Sequence, residues 1–119
     1  MAESYHYNIV FLGTNETLDK EHDFLKIVES QRLKGVIITP ISETDTVTRD
    51  YLLRLEESGI PVVLVDRDVK GAQFDGVFVD NQKGSYDGVM ELIKAGHERI
   101  AIITGPETSK PGKDRCQAI

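Results

Sequence analysis

Gly59-Ile60-Pro61-Val62-Val63-Leu64-Val65-Asp66-Arg67 is the stretch on which the fold turns. The glycine closes one element, and the proline two residues on opens the next. Val62 to Val65 run apolar without alternation, which suits a strand buried on both faces rather than one half wet in an antiparallel sheet. The run then breaks abruptly into a carboxylate and a guanidinium.

Working outward, four more short β-rich runs share this construction: Tyr7 to Leu12, Gly35 to Thr39, Val77 to Val79 and Ile100 to Thr104. Segments of helical period separate them. Thr17 to Gln31 places Phe24, Leu25 and Val28 on one stripe, leaving Glu21 and Asp23 as solvated positions; Thr46 to Ser58 does the same with Val47, Tyr51, Leu52 and Leu55. Asn81 to Ala95 opens behind Asp80 or Asn81 as N-cap, buries Val89, Met90, Leu92 and Ile93, and stops at Gly96. The order β-α-β-α-β-β-α-β predicts an α/β fold: an open, doubly wound, mainly parallel sheet with helices on both sides. A further helix is expected from about Lys113.

Composition narrows the function. The 119 residues make one domain or part of one; 39% hydrophobic and 29% charged residues are ordinary for a globular chain. A net charge of −6 argues against these residues gripping a phosphate backbone, which needs clustered Lys and Arg. The single cysteine, Cys116, excludes an internal disulfide and reads as a small buried filler. His6, His22 and His97 have no metal-ligand spacing, there is no GxSxG elbow, and the Gly105-Pro106 loop lacks the spacing of a phosphate-binding loop. No metal, no cofactor and no catalytic residue is expected.

In an open parallel sheet, ligands bind beyond the carboxyl ends of the strands. That edge holds Thr14 and Asn15, Pro40 to Ser42, Asp66 and Arg67, Asp80 and Asn81, and Gly105 to Arg115. Asp66 beside Arg67 offers an acceptor and a forked donor, a pairing suited to adjacent hydroxyls of a polyol; the same pair reads equally as a solvated turn. Asp80 and Asn81 read as a helix cap.

The blocks Gln31 to Ile38, Gly59 to Arg67, Val79-Asp80-Asn81 with Gly84, and Gly96-His97-Glu98-Arg99-Ile100 through Pro106 together resemble the effector-binding domain of LacI/GalR-type transcriptional regulators. That domain shares its fold, the type I periplasmic binding protein lobe, with periplasmic sugar-binding proteins. The resemblance implies a cytoplasmic, dimeric sensor that closes on a sugar or another small metabolite and signals to DNA through a separate helix-turn-helix. It also implies that residues 1–119 are a partial N-terminal lobe cut short at both ends, without the helix-turn-helix, the first strand or the C-terminal lobe. In this fold the first strand sits between the runs Tyr7 to Leu12 and Gly35 to Thr39. Carried over by position, Asp66 matches a carboxylate that binds effector hydroxyls, Arg67 the adjacent pocket residue, and Arg115 an arginine that reaches the ligand. Thr14, Asn15 and Ser42 would line the pocket loosely, and Ser109 would stand in its variable wall. The same fold would serve a binding protein of a transporter or chemoreceptor. A flavodoxin-like enzyme or receiver domain fits the architecture alone.

Overall fold

A computed structural model describes all residues, Met1 to Ile119. Three helices begin where a short polar side chain can accept a free amide of the first turn. Helix α1, Leu18–Ser30, starts without such a side-chain cap but carries Asp19 and Glu21 in its first turn. Helix α2, Thr46–Glu57, is capped by Asp45, which accepts the Thr48 N–H at 2.9 Å. It ends in a left-handed Gly59, φ 84°, with the Ile60 N–H bonded back to the Leu55 carbonyl at 2.9 Å. Only a residue without a Cβ takes that conformation without strain, so the Gly-x-Pro punctuation read in the sequence has a physical basis.

Strands β1 (Val36–Ile38), β2 (Val62–Val65) and β3 (Asp75–Val77) form one parallel sheet in the order β1-β2-β3, with Ile37 opposite Val63 and Leu64 opposite Gly76. α1 lies against α2, and both cover one face of the sheet. Leu25, Val28, Leu52, Leu55, Ile60, Val62, Leu64 and Val69 make the core there. The architecture is the expected open parallel α/β one.

Four features differ from the sequence reading. First, the sheet is covered on one face only: Val62 and Leu64 are buried, whereas Ile37 on the opposite face is 77% exposed. Second, Tyr7–Leu12 and Ile100–Thr104 form no strand and join no ladder, and β3 is shifted two residues earlier than Val77 to Val79. Apolar β-branched runs acquire strand structure only when a neighbour supplies the cross-strand bonds. Third, helix α3, Asn81–Lys94, is capped by Asp80, which accepts the Lys83 N–H at 3.0 Å, but it packs on helix α4, Lys110–Gln117. Leu92 and Ile93 therefore stay exposed, and Val89 and Met90 are at most half-buried. α4 itself begins at Lys110, three residues ahead of expectation, because Ser109 caps it, and Cys116 is half-buried rather than a core filler. With α3 and α4 standing off the sheet, the Cα radius of gyration is 17.9 Å, against about 14 Å for a compact domain of this length.

The fourth difference is Glu21, a buried residue rather than a solvated one. It lies four residues before Leu25 and seven before Val28, on the same stripe. Its carboxylate accepts the Thr48 hydroxyl at 2.7 Å and the Ile41 N–H at 2.9 Å, which satisfies the oxygens that burial removes from water.

Candidate functional site

The carboxyl ends of β1 and β2 bring three loops together. β2 leaves the sheet through a tight turn centred on Asp66: the Arg67 N–H bonds the Val65 carbonyl at 2.7 Å, and Asp66 has φ 68°. This is the strained γ-turn conformation, of a kind that clusters at ligand clamps. The Asp66 N–H still reaches across to the Val77 carbonyl at 2.9 Å, so the turn is held against β3.

The turn throws the Arg67 side chain sideways over β1. Its Nη1 donates to the carbonyls of Pro40 and Ile41 at 3.4 and 3.3 Å and lies 3.5 Å from the Glu16 carboxylate. Because Glu16 is largely exposed, that ion pair fixes position more than it stabilises; such surface pairs contribute about 0–1 kcal/mol. One guanidinium thus ties the exit of β2 to the loop after β1 and to the Thr14-Asn15-Glu16 loop ahead of α1.

The candidate residues separate into two groups. Asp66, Arg67, Ser42, Thr14 and Asn15 sit in, or next to, the segments that Arg67 joins. Ser42 Oγ lies 3.2 Å from Thr44 Oγ1, the Thr14 carbonyl accepts the Thr17 N–H at 3.1 Å, and Asn15 is left-handed with φ 51°. Ser109 and Arg115 belong to α4. Ser109 is its N-cap, accepting the Gly112 N–H at 3.3 Å, so its hydroxyl has a structural task that the sequence reading did not assign. Arg115 is exposed and engages α3: Nε donates to Asn81 Oδ1 at 2.9 Å, and its carbonyl accepts the Ser85 hydroxyl at 2.9 Å.

A cleft of about 330 Å³ opens between β3's exit and the two late helices, lined by Phe78, Val79, Asp80, Asn81, Lys110 and Asp114 among others. The Lys110 ammonium bonds Asp114 at 2.7 Å, and that hydrogen bond holds its pKa above the ordinary lysine value. The cleft is lined by none of the seven candidate residues, but it adjoins their α4 group.

Two carboxylates and a histidine near the site escaped sequence reading. Glu21 supports the loop after β1 through the Ile41 N–H. Glu43, also buried, accepts the Asp68 and Lys110 N–H groups. His22 Nε2 stands 2.7 Å from Asp45. Only Glu21 left a signal, its place on an apolar stripe; the others depend on contacts at least 23 positions apart. No group of three His, Cys, Asp or Glu is placed to hold a metal ion, and no helix is long and apolar enough to cross a membrane.

The carboxyl edge of the open parallel sheet thus carries a carboxylate, Asp66, beside a forked guanidinium, Arg67. Residues 1–118 match the family described as periplasmic binding proteins and sugar binding domain of LacI family. The chain belongs to that family. Among curated relatives, it is 30% identical to the catabolite control protein A of Priestia megaterium over 105 residues, 88% of this chain and 30% of that protein. The chain therefore spans about a third of the length of the curated relatives it matches. Among solved structures, the transcription regulator CcpA of Lactococcus lactis superposes with a TM-score of 0.83 at 26% identity, over 98% of this chain and 42% of that one. The periplasmic component of the arabinose transporter from Shewanella sp. ANA-3, bound to arabinofuranose, superposes with a TM-score of 0.72 at 24% identity, over 86% of this chain and 35% of that one. The second likeness shows the shared fold alone.

Proposed function

We propose that this chain is the small-molecule-sensing part of a LacI-family transcriptional regulator, taking a sugar or related polyol at the carboxyl edge of its sheet. The observation that carries the reading is the reach of Arg67 across Pro40 and Ile41, with Asp66 beside it in a strained turn. A carboxylate and a guanidinium from neighbouring positions can accept from one hydroxyl and donate to the next, and three loops are already gathered around them.

In this reading Asp66 and Arg67 make the primary contacts. Thr14, Asn15 and Ser42 line the pocket from the first-lobe loops, and Ser109 and Arg115 approach from α4. Residues 1–119 form a partial N-terminal lobe, with α4 brought to its ligand-facing edge. The chain binds without turnover and is no enzyme. In the whole regulator, a cytoplasmic homodimer with no membrane association, occupancy shifts the balance between two lobe arrangements and so the affinity for DNA of a separate helix-turn-helix. The regulator reading gains support over that of a transporter's binding protein from the fuller superposition on CcpA, 98% against 86% of the chain.

The test is an amide-shift titration of the chain with D-ribose, L-arabinose and D-glucose. At least one sugar should move the Ser42, Asp66 and Arg67 amides, saturating only near millimolar, since a single open edge cannot enclose a ligand; a Kd of 1 mM corresponds to about −4 kcal/mol. Asp66→Ala should abolish the shifts. In the full-length regulator, Asp66→Ala and Arg115→Ala should remove the effector response. An unchanged response in both would refute the site assignment.

A further inference from the structure

The geometry points to Glu43 as a positioning residue that couples the proposed ligand loops to α4. The residue is 6% exposed. One carboxylate oxygen, Oε1, accepts the Lys110 N–H at 2.6 Å and the Asp68 N–H at 3.3 Å, while the Glu43 carbonyl accepts the Lys70 N–H at 2.8 Å. Residues from the β1–α2 loop, the β2–β3 loop and the first turn of α4 therefore meet at one side chain.

The local sequence explains why α4 needs an outside partner. A helix begins with amides that no carbonyl of its own can satisfy. In Ser109-Lys110-Pro111-Gly112, proline has no amide hydrogen and the Gly112 N–H goes to the Ser109 hydroxyl at 3.3 Å. That leaves the Lys110 N–H, and Glu43 takes it. The Lys110 ammonium does not compete, because it is bonded to Asp114. Glu43 makes no ion pair with a side-chain cation; its charge is met by backbone amides and by the positive end of α4.

The position of this link gives it meaning. Glu43 follows Ser42 and stands two residues beyond Ile41, whose carbonyl holds Arg67; Asp68 follows Arg67. A ligand that moves either loop moves the Glu43 carboxylate, and with it the start of the helix that carries Ser109 and Arg115. This regulatory meaning rests on the sugar-sensing reading above, but the physical link does not.

Hydrogen exchange of the ligand-free 119-residue chain tests the link without any sugar, so its outcome is separate from that of the titration. Glu43→Ala should speed exchange of the Lys110 and Asp68 amides together, by about tenfold, while the core amide of Leu64 changes far less. Glu43→Gln keeps an acceptor oxygen but loses the charge that strengthens both bonds, so it should leave a smaller, few-fold increase at both amides. Ser109→Ala should speed Gly112 and leave Asp68 as it was. If Glu43→Ala does not yield a folded chain, Glu43→Gln decides alone: a few-fold change at Lys110 and Asp68 in concert supports the link. A change at only one of the two amides, no change at either, or a rise at Leu64 as large as theirs would overturn it.

Discussion

His22 Nε2 lies 2.7 Å from Asp45 Oδ2, and the same carboxylate oxygen caps α2 through the Thr48 N–H at 2.9 Å. Burial by itself would raise the Asp45 pKa, but hydrogen bonds from His22, the Thr48 amide and the Thr48 hydroxyl outweigh it and hold the carboxyl below its ordinary value of 3.8. A depressed carboxyl stabilises the fold above its unfolded pKa, and that contribution disappears as pH falls through the lower folded value. Urea midpoints of the wild type should therefore exceed those of Asp45→Asn at pH 6 and converge with them below pH 3.8. A gap that persisted undiminished at the most acid pH would rule out Asp45 as the titrating group.

Glu21 is a carboxylate inside the helix–sheet interface, and its worth depends on its two partners. Glu21→Ala should destabilise the chain by about 1–3 kcal/mol, because the Ile41 N–H and the Thr48 hydroxyl are left without an acceptor. Glu21→Gln should cost less, since one acceptor oxygen remains and the Thr48 hydroxyl can turn. Denaturant unfolding of both variants measures the difference; equal losses would show that neither side-chain volume nor a single acceptor suffices and that the carboxylate with both acceptor oxygens is what Glu21 supplies.

Gly112 sits where a Cβ would come within 2.1 Å of the Pro106 carbonyl oxygen. Backbone atoms cannot swing aside as a long side chain can, so Gly112→Ala should displace the first turn of α4. Loss of the Lys110 and Gly112 amide protection, with the β2 amides intact, is the expected hydrogen-exchange signature. Gly84 and Gly88 provide the contrast: a Cβ at either meets open space, so alanine there should be tolerated or favourable within α3.

The free side of β1 and the apolar run ahead of α1 predict association. Ile37 is 77% exposed, and Ile9, Val10 and Phe11 are 64%, 63% and 88% exposed. Unpaired edges and bare apolar faces template further strand pairing. Sedimentation velocity should show concentration-dependent oligomers, reduced by Ile37→Lys. A single monomer boundary across the micromolar range would exclude this behaviour.

Sequence reading was most dependable where the physics is local. Asp80 at the start of α3, Gly59 and Gly96 past helix ends, and the unbroken apolar run of β2 each depend on residues a few positions away. It failed for Tyr7–Leu12 and Ile100–Thr104, because strand structure is a property of pairs: the composition was suitable, but neither run pairs with a neighbour in a ladder. It failed for Glu21 for a different reason, charge having been taken as a mark of exposure when spacing placed the residue inside. At the candidate site the residue types at the strand ends were legible. The turn of Arg67 toward Ile41 and the reach of Glu43 to Lys110 were not, since contacts 26 and 67 positions apart leave no local pattern.

Asp66, at φ 68°, holds a conformation that glycine adopts without cost and aspartate does not. Asp66→Gly should therefore relax the turn, yet it would delete the carboxylate proposed to meet the ligand. Selection on this position pulls two ways: persistence of the fold favours the smallest residue, and recognition favours the one that strains it. A search for stabilised variants that ignored binding would drift toward glycine here, so the residue retained at this turn reports which pressure prevailed.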